Sequence, residues 1–454
     1  MAEAIFEALR ARHRAEVAVR MGEHVERLDW PRERLAAERQ RRLRILLGHA
    51  KATSPWHRSR LQTIDPSSAT EADLSKVPTM TKSELMMHWS QIVTDPRLTR
   101  EAVDDYVRDL PENTYLFGRY HVLASGGSSG QRGTFICDWS ELMNMWLTAA
   151  RWTTRNKALS GAPAFPEPMV GVFADRGAHA SYIFPSLFGS ATRIAIPATR
   201  PLSEIVSFLN KVQPRTLATY ASMWTLLASE AKAGRLNISL GRAGSSGEPL
   251  FPEIRAAVER CWPVRVDNLY GASEGFYAGV CHRSNDGHLP DDLCILEPVD
   301  DQGRPVPPGQ KAAKFYFSNL YNFTLPLIRY EVTDEITVID EPCACGSQHR
   351  RVAEVLGRHD DLFAYGDLKI HPLVIRAPLG KNSAVHEYQV RQTARGLHVL
   401  AIADSALDVE ALAGDLREAL RCAGLADPAI TIEIAPSLPH TVTGKVARFV
   451  PLKD

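Results

Sequence analysis

Net charge is what this sequence lacks most plainly: 53 Lys and Arg are balanced by 53 Asp and Glu, leaving a formal charge of zero at pH 7. No overall field draws such a chain onto a phosphate backbone or an anionic bilayer, so general nucleic-acid coating is excluded. Long apolar runs are missing too, none approaching the roughly 18 residues of a membrane-spanning helix. Cysteine is sparse, seven in 454 residues and an odd number, which does not make a disulfide framework and fits a reducing compartment. The opening MAEAIFEALRARHRAEVAVR threads charges through its apolar positions, without the apolar block and cleavage site of a secretory signal. The expectation is a cytoplasmic protein with neither nucleic acid nor membrane as partner.

What is present is chain enough for two or three domains. Hydrophobic residues at 44% and charged residues at 23% are the balance of a globular protein. Fourteen Lys and Arg against eight Asp and Glu in the first sixty residues read as the wet face of amphipathic helices, with a subunit or nucleotide contact as the alternative. From about residue 168 short β-branched runs alternate with helical patterns: PMVGVFAD, ATRIAIPA, LSEIVSFLNKVQ, TLATY, SMWTLLASEAKAGR, FPEIRAAVERCW and VRVDNLYG. That rhythm predicts βαβ units and a mostly parallel sheet with its ligands at the strand carboxyl ends. KAAKFYFSNL and EITVID, separated by Gly/Pro turns, predict an antiparallel appendage. A second, small α+β unit is predicted from Gly357. It comprises a hairpin over HEYQVRQTARGLHVLAIAD, a helix with Val409, Leu412, Leu416 and Leu420 on one face, and the strand AITIEIA. The fold class is therefore α/β, with a large domain over 1–356 and a small domain over 357–454 joined by a polar linker at 357–361.

Chemistry concentrates first in LASGGSSGQRGT, between an apolar run and a helical one. The small residues Ser125, Gly126, Gly127, Ser128, Ser129 and Gly130 let backbone N–H groups converge on an anion, and the hydroxyls add donors. No Gly-Lys-[Ser/Thr] follows, so this is not a Walker A loop, and alone such a loop is as well read as a mobile turn. Further segments then follow in order: Ser246-Gly247-Glu248-Pro249, Tyr270-Gly271-Ala272-Ser273-Glu274, Pro326 to Tyr330 leading to Thr333-Asp334, Gly357-Arg358-His359-Asp360-Asp361, and Thr443-Gly444-Lys445. Singly each reads as a turn, a strand-end tyrosine or a surface charge.

Together, in this order and spacing, the motifs resemble the adenylate-forming superfamily of acyl-CoA synthetases, most of all its phenylacetate-CoA ligase branch. The resemblance extends over the whole chain, including the early LRILLGHAKATSPWHRSRL and VPTMTKSEL. It implies an enzyme that uses ATP to turn a carboxylic acid into an acyl-adenylate and then a thioester, with CoA as acceptor. By position, Ser125 to Gly130 would hold the departing pyrophosphate, and Ser246, Gly247, Glu248 and Pro249 would border the nucleotide. Tyr270, with Gly271, Ala272 and Ser273, would lie against adenine; Glu274 would hold Mg²⁺, a hard cation suited to carboxylate oxygen. Asp334 would accept from the ribose hydroxyls, and Arg358 would help position the nucleotide. Lys445 would stabilise charge between carboxylate and α-phosphate, and Asp360 would be the hinge of a mobile small domain. Phe173, Tyr182, Tyr220 and Phe276 fall near segments that border the acyl pocket in relatives, implying an aromatic or apolar acid; core packing explains them equally well.

Cys281 and His288 in CHRSNDGH, with Cys343 and Cys345 in EPCACGSQH, make a tetrahedral zinc set of three thiolates and an imidazole. Spacing leaves His282 and His349 as substitutes. Relatives in the same branch have a similar pair of segments, which implies a structural zinc at Cys281, His288, Cys343 and Cys345.

Two departures stand out. Gln131-Arg132-Gly133 replaces the Pro that commonly continues the phosphate loop, and Gly366-Asp367 places a glycine one position early in the small domain. Adenylation is thus better supported than CoA as acceptor. A carrier-protein thiol or an amine stays open as an alternative, as does a homodimer. From another class, a zinc-stabilised nucleotide-binding scaffold without activity is the competing reading, against which Glu274 and Lys445 argue.

Overall fold

The computed structural model describes residues 2–109, 115–124, 133–160, 167–173, 193–353, 355, 362–370, 372–382, 384–440 and 446–452. Helices α1 (Ala2–Glu26) and α2 (Arg32–Thr53) open the chain. A hairpin of β1 (Tyr120–Ala124) and β2 (Thr134–Asp138) leads into the long α3 (Trp139–Ser160). The basic face expected of the first sixty residues is only partly wet. Arg27 is 5% exposed, its guanidinium 3.4 Å from the buried Asp292, and Arg42 lies 2.6 Å from Glu38. Arg27, just past α1, ties this region to the body of the protein, which the sequence pattern does not reveal because its partner Asp292 is so distant in the chain, whereas Arg42 pairs within α2.

The predicted βαβ units are present. Strands β3 (Met169–Phe173), β4 (Arg193–Pro197), β5 (Thr216–Thr219), β6 (Arg242–Ser246) and β7 (Val266–Leu269) form an all-parallel sheet in the order β4-β3-β5-β6-β7. Helices α4 (Leu202–Val212), α5 (Ala221–Lys232) and α6 (Pro252–Cys261) connect its strands. Val170, Val172, Leu217, Ala243 and Val266 of the sheet, at most 1% exposed, pack with Ile205, Leu209, Trp224, Leu227 and Val258 of the helices. Each large side chain so buried contributes about 1.5–3 kcal/mol.

The appendage is antiparallel as expected. Strands β8 (Cys294–Val299), β9 (Lys314–Asn319) and β10 (Tyr330–Val332) pair in that order. Five short strands, Gly279–Val280, Gly287–His288, Arg351–Val352, Ile336–Ile339 and Lys311–Ala312, make a second antiparallel sheet beside them.

Beyond residue 362 the chain builds its own core. Helix α7 (Pro372–Lys381), the hairpin β11 (Val385–Thr393) and β12 (Gly396–Ala403), helix α8 (Val409–Cys422), β13 (Ala429–Ile434) and β14 (Phe449–Val450) follow in sequence. The sheet order is β13-β12-β11-β14, antiparallel at its centre and parallel at both edges. Leu412, Leu416 and Leu420 are buried against Phe363, Ile370, Val390 and Val399, the face predicted from their spacing. Asp408 caps this helix by accepting from the Ala411 amide at 3.0 Å. Gly396 is obligatory, since a Cβ there would lie 2.0 Å from the Ala429 carbonyl oxygen of the neighbouring strand.

Candidate nucleotide and metal sites

Four predicted site segments arrive together because the strands that carry them end on one edge of one sheet. Phe173 closes β3, Tyr220 follows β5, Ser246 closes β6, and Tyr270 follows β7. This is the carboxyl edge, where a parallel sheet leaves its ligand crevice. Phe173 and Tyr220 pack edge to face with ring centres 5.0 Å apart.

The segment after β7 turns back on itself. Gly271 and Ala272 pair with Tyr277 and Phe276, and a Cβ on Gly271 would fall 2.0 Å from the Tyr277 ring. Only glycine fits that crossing. The turn continues to Gly275, whose φ is 113°, and Asn319 at the end of β9 donates to the Glu274 carbonyl at 3.2 Å. Tyr321 donates to the Gly275 carbonyl as well. The turn that presents half-buried Ser273 and Glu274 is therefore held by two side chains at and just after the end of β9. Asn319 and Tyr321 were not foreseen, because no motif marks them; their role is visible only once β9 lies beside the turn.

Tyr270 reaches out of this segment and its hydroxyl donates to the Asp334 carboxylate at 2.8 Å. Asp334 is 6% exposed, two residues past β10. Two motif members 64 positions apart thus meet directly. Phe276 is fully buried, its ring 5.3 Å from Tyr270 and packed against Phe315 and Phe317. Glu248 makes its bonds within the protein: it accepts from the Ser222 amide at 2.8 Å, from the Ser222 hydroxyl at 3.1 Å, and from the Val446 amide at 3.0 Å. Ser125 to Gly130, Tyr182, Arg358, Asp360 and Lys445 lie outside the described residues. Gly366, with φ of 62°, sits with Asp367 in the turn of a hairpin between Phe363–Tyr365 and Leu368–Ile370, which accounts for the early glycine.

The second cluster is closed. Ligand atoms of Cys281, His288, Cys343 and Cys345 all lie within 4.8 Å of one another. The Cys281 and Cys343 sulfurs are 3.6 Å apart, and Cys345 Sγ is 3.4 Å from His288 Nε2. Tetrahedral thiolates around a zinc ion, at about 2.3 Å each, would stand roughly 3.8 Å apart. Gly346, with φ of 86°, closes the turn that lets Cys343 and Cys345 face the same point. His288 is oriented by the His349 carbonyl 3.1 Å from its Nδ1 and by stacking on Trp152 at 4.2 Å. A hydrogen bond from Cys281, opposed by burial and assisted by His288, holds the Cys345 thiol well below the usual thiol range. Of the substitute histidines, His349 spends its ring on the Leu289 and Arg27 carbonyls, and His282 on Asn156. Trp152 and Arg155, on α3, support the cluster from a segment that no spacing rule connects to it.

Comparison with known proteins places this architecture. No family model matches the chain. It is 27% identical over 364 residues to the phenylacetate-coenzyme A ligase of Thermus thermophilus, covering 77% of this chain and 76% of that one. It is 27% identical over 174 residues to the phenylacetate-coenzyme A ligase of Aromatoleum evansii, covering 37% and 38%. Among solved structures, 2-hydroxyisobutyryl-CoA ligase in its postadenylation state superposes with a TM-score of 0.71 at 19% identity, over 94% of this chain and 91% of that one. In its thioesterification state, over the same shares, the score is 0.58. At this identity the likeness is one of fold.

Proposed function

We infer that this chain, which carries the fold of the adenylate-forming acyl-CoA synthetases and is similar to one phenylacetate-CoA ligase over three quarters of its length, is an ATP-dependent acid–thiol ligase. In the first half-reaction a carboxylate oxygen attacks the α-phosphorus of ATP and pyrophosphate leaves, giving an acyl-adenylate. In the second, a thiol attacks the acyl carbon, forms the thioester and releases AMP. The bond between Tyr270 and Asp334 at the carboxyl edge of the sheet carries this reading, because it joins the adenine-side and ribose-side members of the motif set into one surface.

Like-charge repulsion between the acid and the phosphates is the barrier to be lowered, so cations and N–H donors must surround them. In this reading Ser125 to Gly130 cradle the leaving pyrophosphate, Ser246, Gly247 and Pro249 border the nucleotide, and Arg358 and Lys445 supply positive charge. Asp334 accepts from the ribose, with its other oxygen already fixed by Tyr270. The half-buried Glu274 carboxylate offers the hard oxygen on which Mg²⁺ would sit, where it would neutralise phosphate charge. In the same reading Phe173 and Tyr220, which pack together, would with Tyr182 wall an apolar acyl pocket suited to an aryl or arylacetyl acid. Residues 1–356 act as the large domain and 357–454 as a cap that turns about Asp360 between half-reactions. The Cys281, His288, Cys343 and Cys345 set fits a structural Zn²⁺, since four protein donors leave no position for substrate. No described helix is long and apolar enough to cross a membrane.

Acid-dependent exchange between ATP and pyrophosphate over a panel of aryl and alkyl acids tests the first half, and CoA-dependent AMP release tests the second. Adenylate that accumulates with CoA present would move the acceptor to a carrier-protein thiol or an amine. Absence of exchange with every acid, from folded protein, would leave the inactive scaffold. Lys445→Ala should abolish exchange while sparing thioester formation from supplied acyl-adenylate.

A further inference from the structure

We propose that Glu248 is a positioning residue of the adenylation half-reaction, a latch that seats the C-terminal segment on the N-terminus of α5 by holding the amide that directly follows Lys445. The proposal rests on the two-step ligase reading above and assigns Glu248 a partner other than the nucleotide.

Glu248 stands in the turn that ends β6, where Gly247 takes a φ of 83°. Its carboxylate is directed at Ser222, in the first turn of α5, where unpaired helix N–H groups and the helix dipole both favour a negative charge. Two of its three bonds, to the Ser222 amide and hydroxyl, belong to the same body of the protein; the third goes to Val446, 198 positions away. This division matters for a contact that must be made and released in each turnover. When Val446 departs, Glu248 keeps Ser222, and only one charge-assisted hydrogen bond is exchanged for water. A latch built this way is reversible without stranding a buried charge.

The neighbouring contacts form one seat. Arg376 of α7 pairs with Glu253 at 3.1 Å, and the Phe251 ring lies under the guanidinium groups of Arg376 and Arg448, at 4.4 and 5.4 Å. Arg448 is in turn 2.8 Å from the buried Glu387. From the other side, β11 holds this segment: Val390 N–H donates to the Arg448 carbonyl at 2.7 Å, and Gln389 donates to that of Ala447 at 3.0 Å. Residues 446–448 are thus pinned between the C-terminal sheet and the corner of β6 and α6, and Glu248 is the pin beside position 445. The arrangement in which these contacts exist superposes better on the postadenylation than on the thioesterification state of 2-hydroxyisobutyryl-CoA ligase, 0.71 against 0.58.

The test compares wild-type, Glu248→Ala and Glu248→Gln full-length chains in both half-reactions, with an acid that supports exchange in the wild type. Glu248→Ala should lower kcat for ATP–pyrophosphate exchange by roughly tenfold or more, from the loss of one charged hydrogen bond. KM for ATP and the rate of thioester formation from supplied acyl-adenylate should each stay within about threefold. Glu248→Gln, which keeps one acceptor oxygen, should recover most of the exchange rate. A raised KM for ATP with kcat unchanged would return Glu248 to the nucleotide site and overturn the proposal. Equal loss in both halves would make it a folding residue, and no loss in either would remove the latch; both outcomes overturn it too. Wild-type protein that is folded yet exchanges with no acid counts against the ligase reading itself, so the two failures are separate.

Discussion

The two chemical clusters of this protein are built on opposite plans. At the Cys/His corner four donors converge from two short segments, three of them fully inside, with every orienting contact already made: Gly346 shapes the turn, His349 fixes the imidazole tautomer and Trp152 backs the ring. At the sheet edge the members sit singly at strand ends, and Tyr270, Ser246 and Glu274 remain half-buried. Among the described residues, Tyr270 meets Asp334 directly across two motifs. A site that completes itself has no room for a substrate; a crevice at the carboxyl edge of a parallel sheet is where a ligand enters. The comparison therefore predicts that damage to the corner is read in stability, and damage to the edge in kinetics.

Loss of one of the four donors breaks the corner most severely. Cys343→Ser should lose stoichiometric zinc and destabilise the fold by about 4 kcal/mol or more, the range of a lost metal. The check is metal analysis beside thermal melting, with kcat per folded molecule unchanged. A variant that melts normally but turns over slowly would place the cluster in the chemistry and undo the contrast.

Asp292→Asn comes next. The carboxylate makes two bonds to Arg151, at 2.9 and 2.8 Å, on the helix that also carries Trp152 and Arg155, and both side chains are wholly buried. Breaking such a pair leaves an uncompensated charge and costs about 3–5 kcal/mol. Burial alone would raise the Asp292 pKa, but Arg151, with His349 and Arg27, drives it below the usual carboxylate range. A depressed carboxylate stabilises the fold above its unfolded pKa and loses that contribution as pH falls through the folded value. Wild-type melting temperature should therefore drop more steeply below pH 4 than that of Asp292→Asn. Parallel acid profiles of the two proteins would show that the pair contributes nothing specific.

Much of this plan was legible in the residues, for reasons that differ by region. Short β-branched runs alternating with helical patterns marked β3, β4, β5 and β7, and the three-and-four spacing of Leu412, Leu416 and Leu420 identified one face of a helix. The convergence of Cys281, His288, Cys343 and Cys345 was legible because thiol and imidazole are few and their spacing is informative. What sequence alone could not supply was pairing across distance. Whether His288 or His349 would face the thiols depends on which ring is already taken by backbone carbonyls, and Arg27 looked like a wet-face charge until Asp292 stood opposite it. Glu248 is the clearest case: its motif points toward a nucleotide, whereas its hydrogen bonds in the fold go to Ser222 and Val446.

At the edge, Asp334→Ala should raise KM for ATP by about 10- to 100-fold, from the loss of charged hydrogen bonds to ribose at about 1.5–3 kcal/mol. The melting temperature should move little, since Tyr270 is half-buried and its freed hydroxyl can turn to water. Isothermal titration with ATP and a melting curve on one preparation separate the two quantities, and a collapse in stability with affinity intact would make Asp334 a fold element.

Tyr270→Phe is the smallest change and the sharpest test. It deletes the hydroxyl that donates to Asp334 and keeps the ring, so the edge-to-face contact with Phe276 at 5.3 Å survives, as does any face offered to adenine. Asp334 then loses the group that fixes one of its oxygens. One neutral-to-charged hydrogen bond that only orients an acceptor contributes about 1 kcal/mol, which is roughly a fivefold rise in KM for ATP with kcat within about twofold. Were the bond simply part of the core, its loss would lower the melting temperature and leave KM alone; were Tyr270 a catalytic acid, kcat would fall with KM unchanged. A shift confined to KM is the outcome that belongs to an open site, because there the protein's own hydrogen bonds serve to aim groups at a ligand that has yet to arrive.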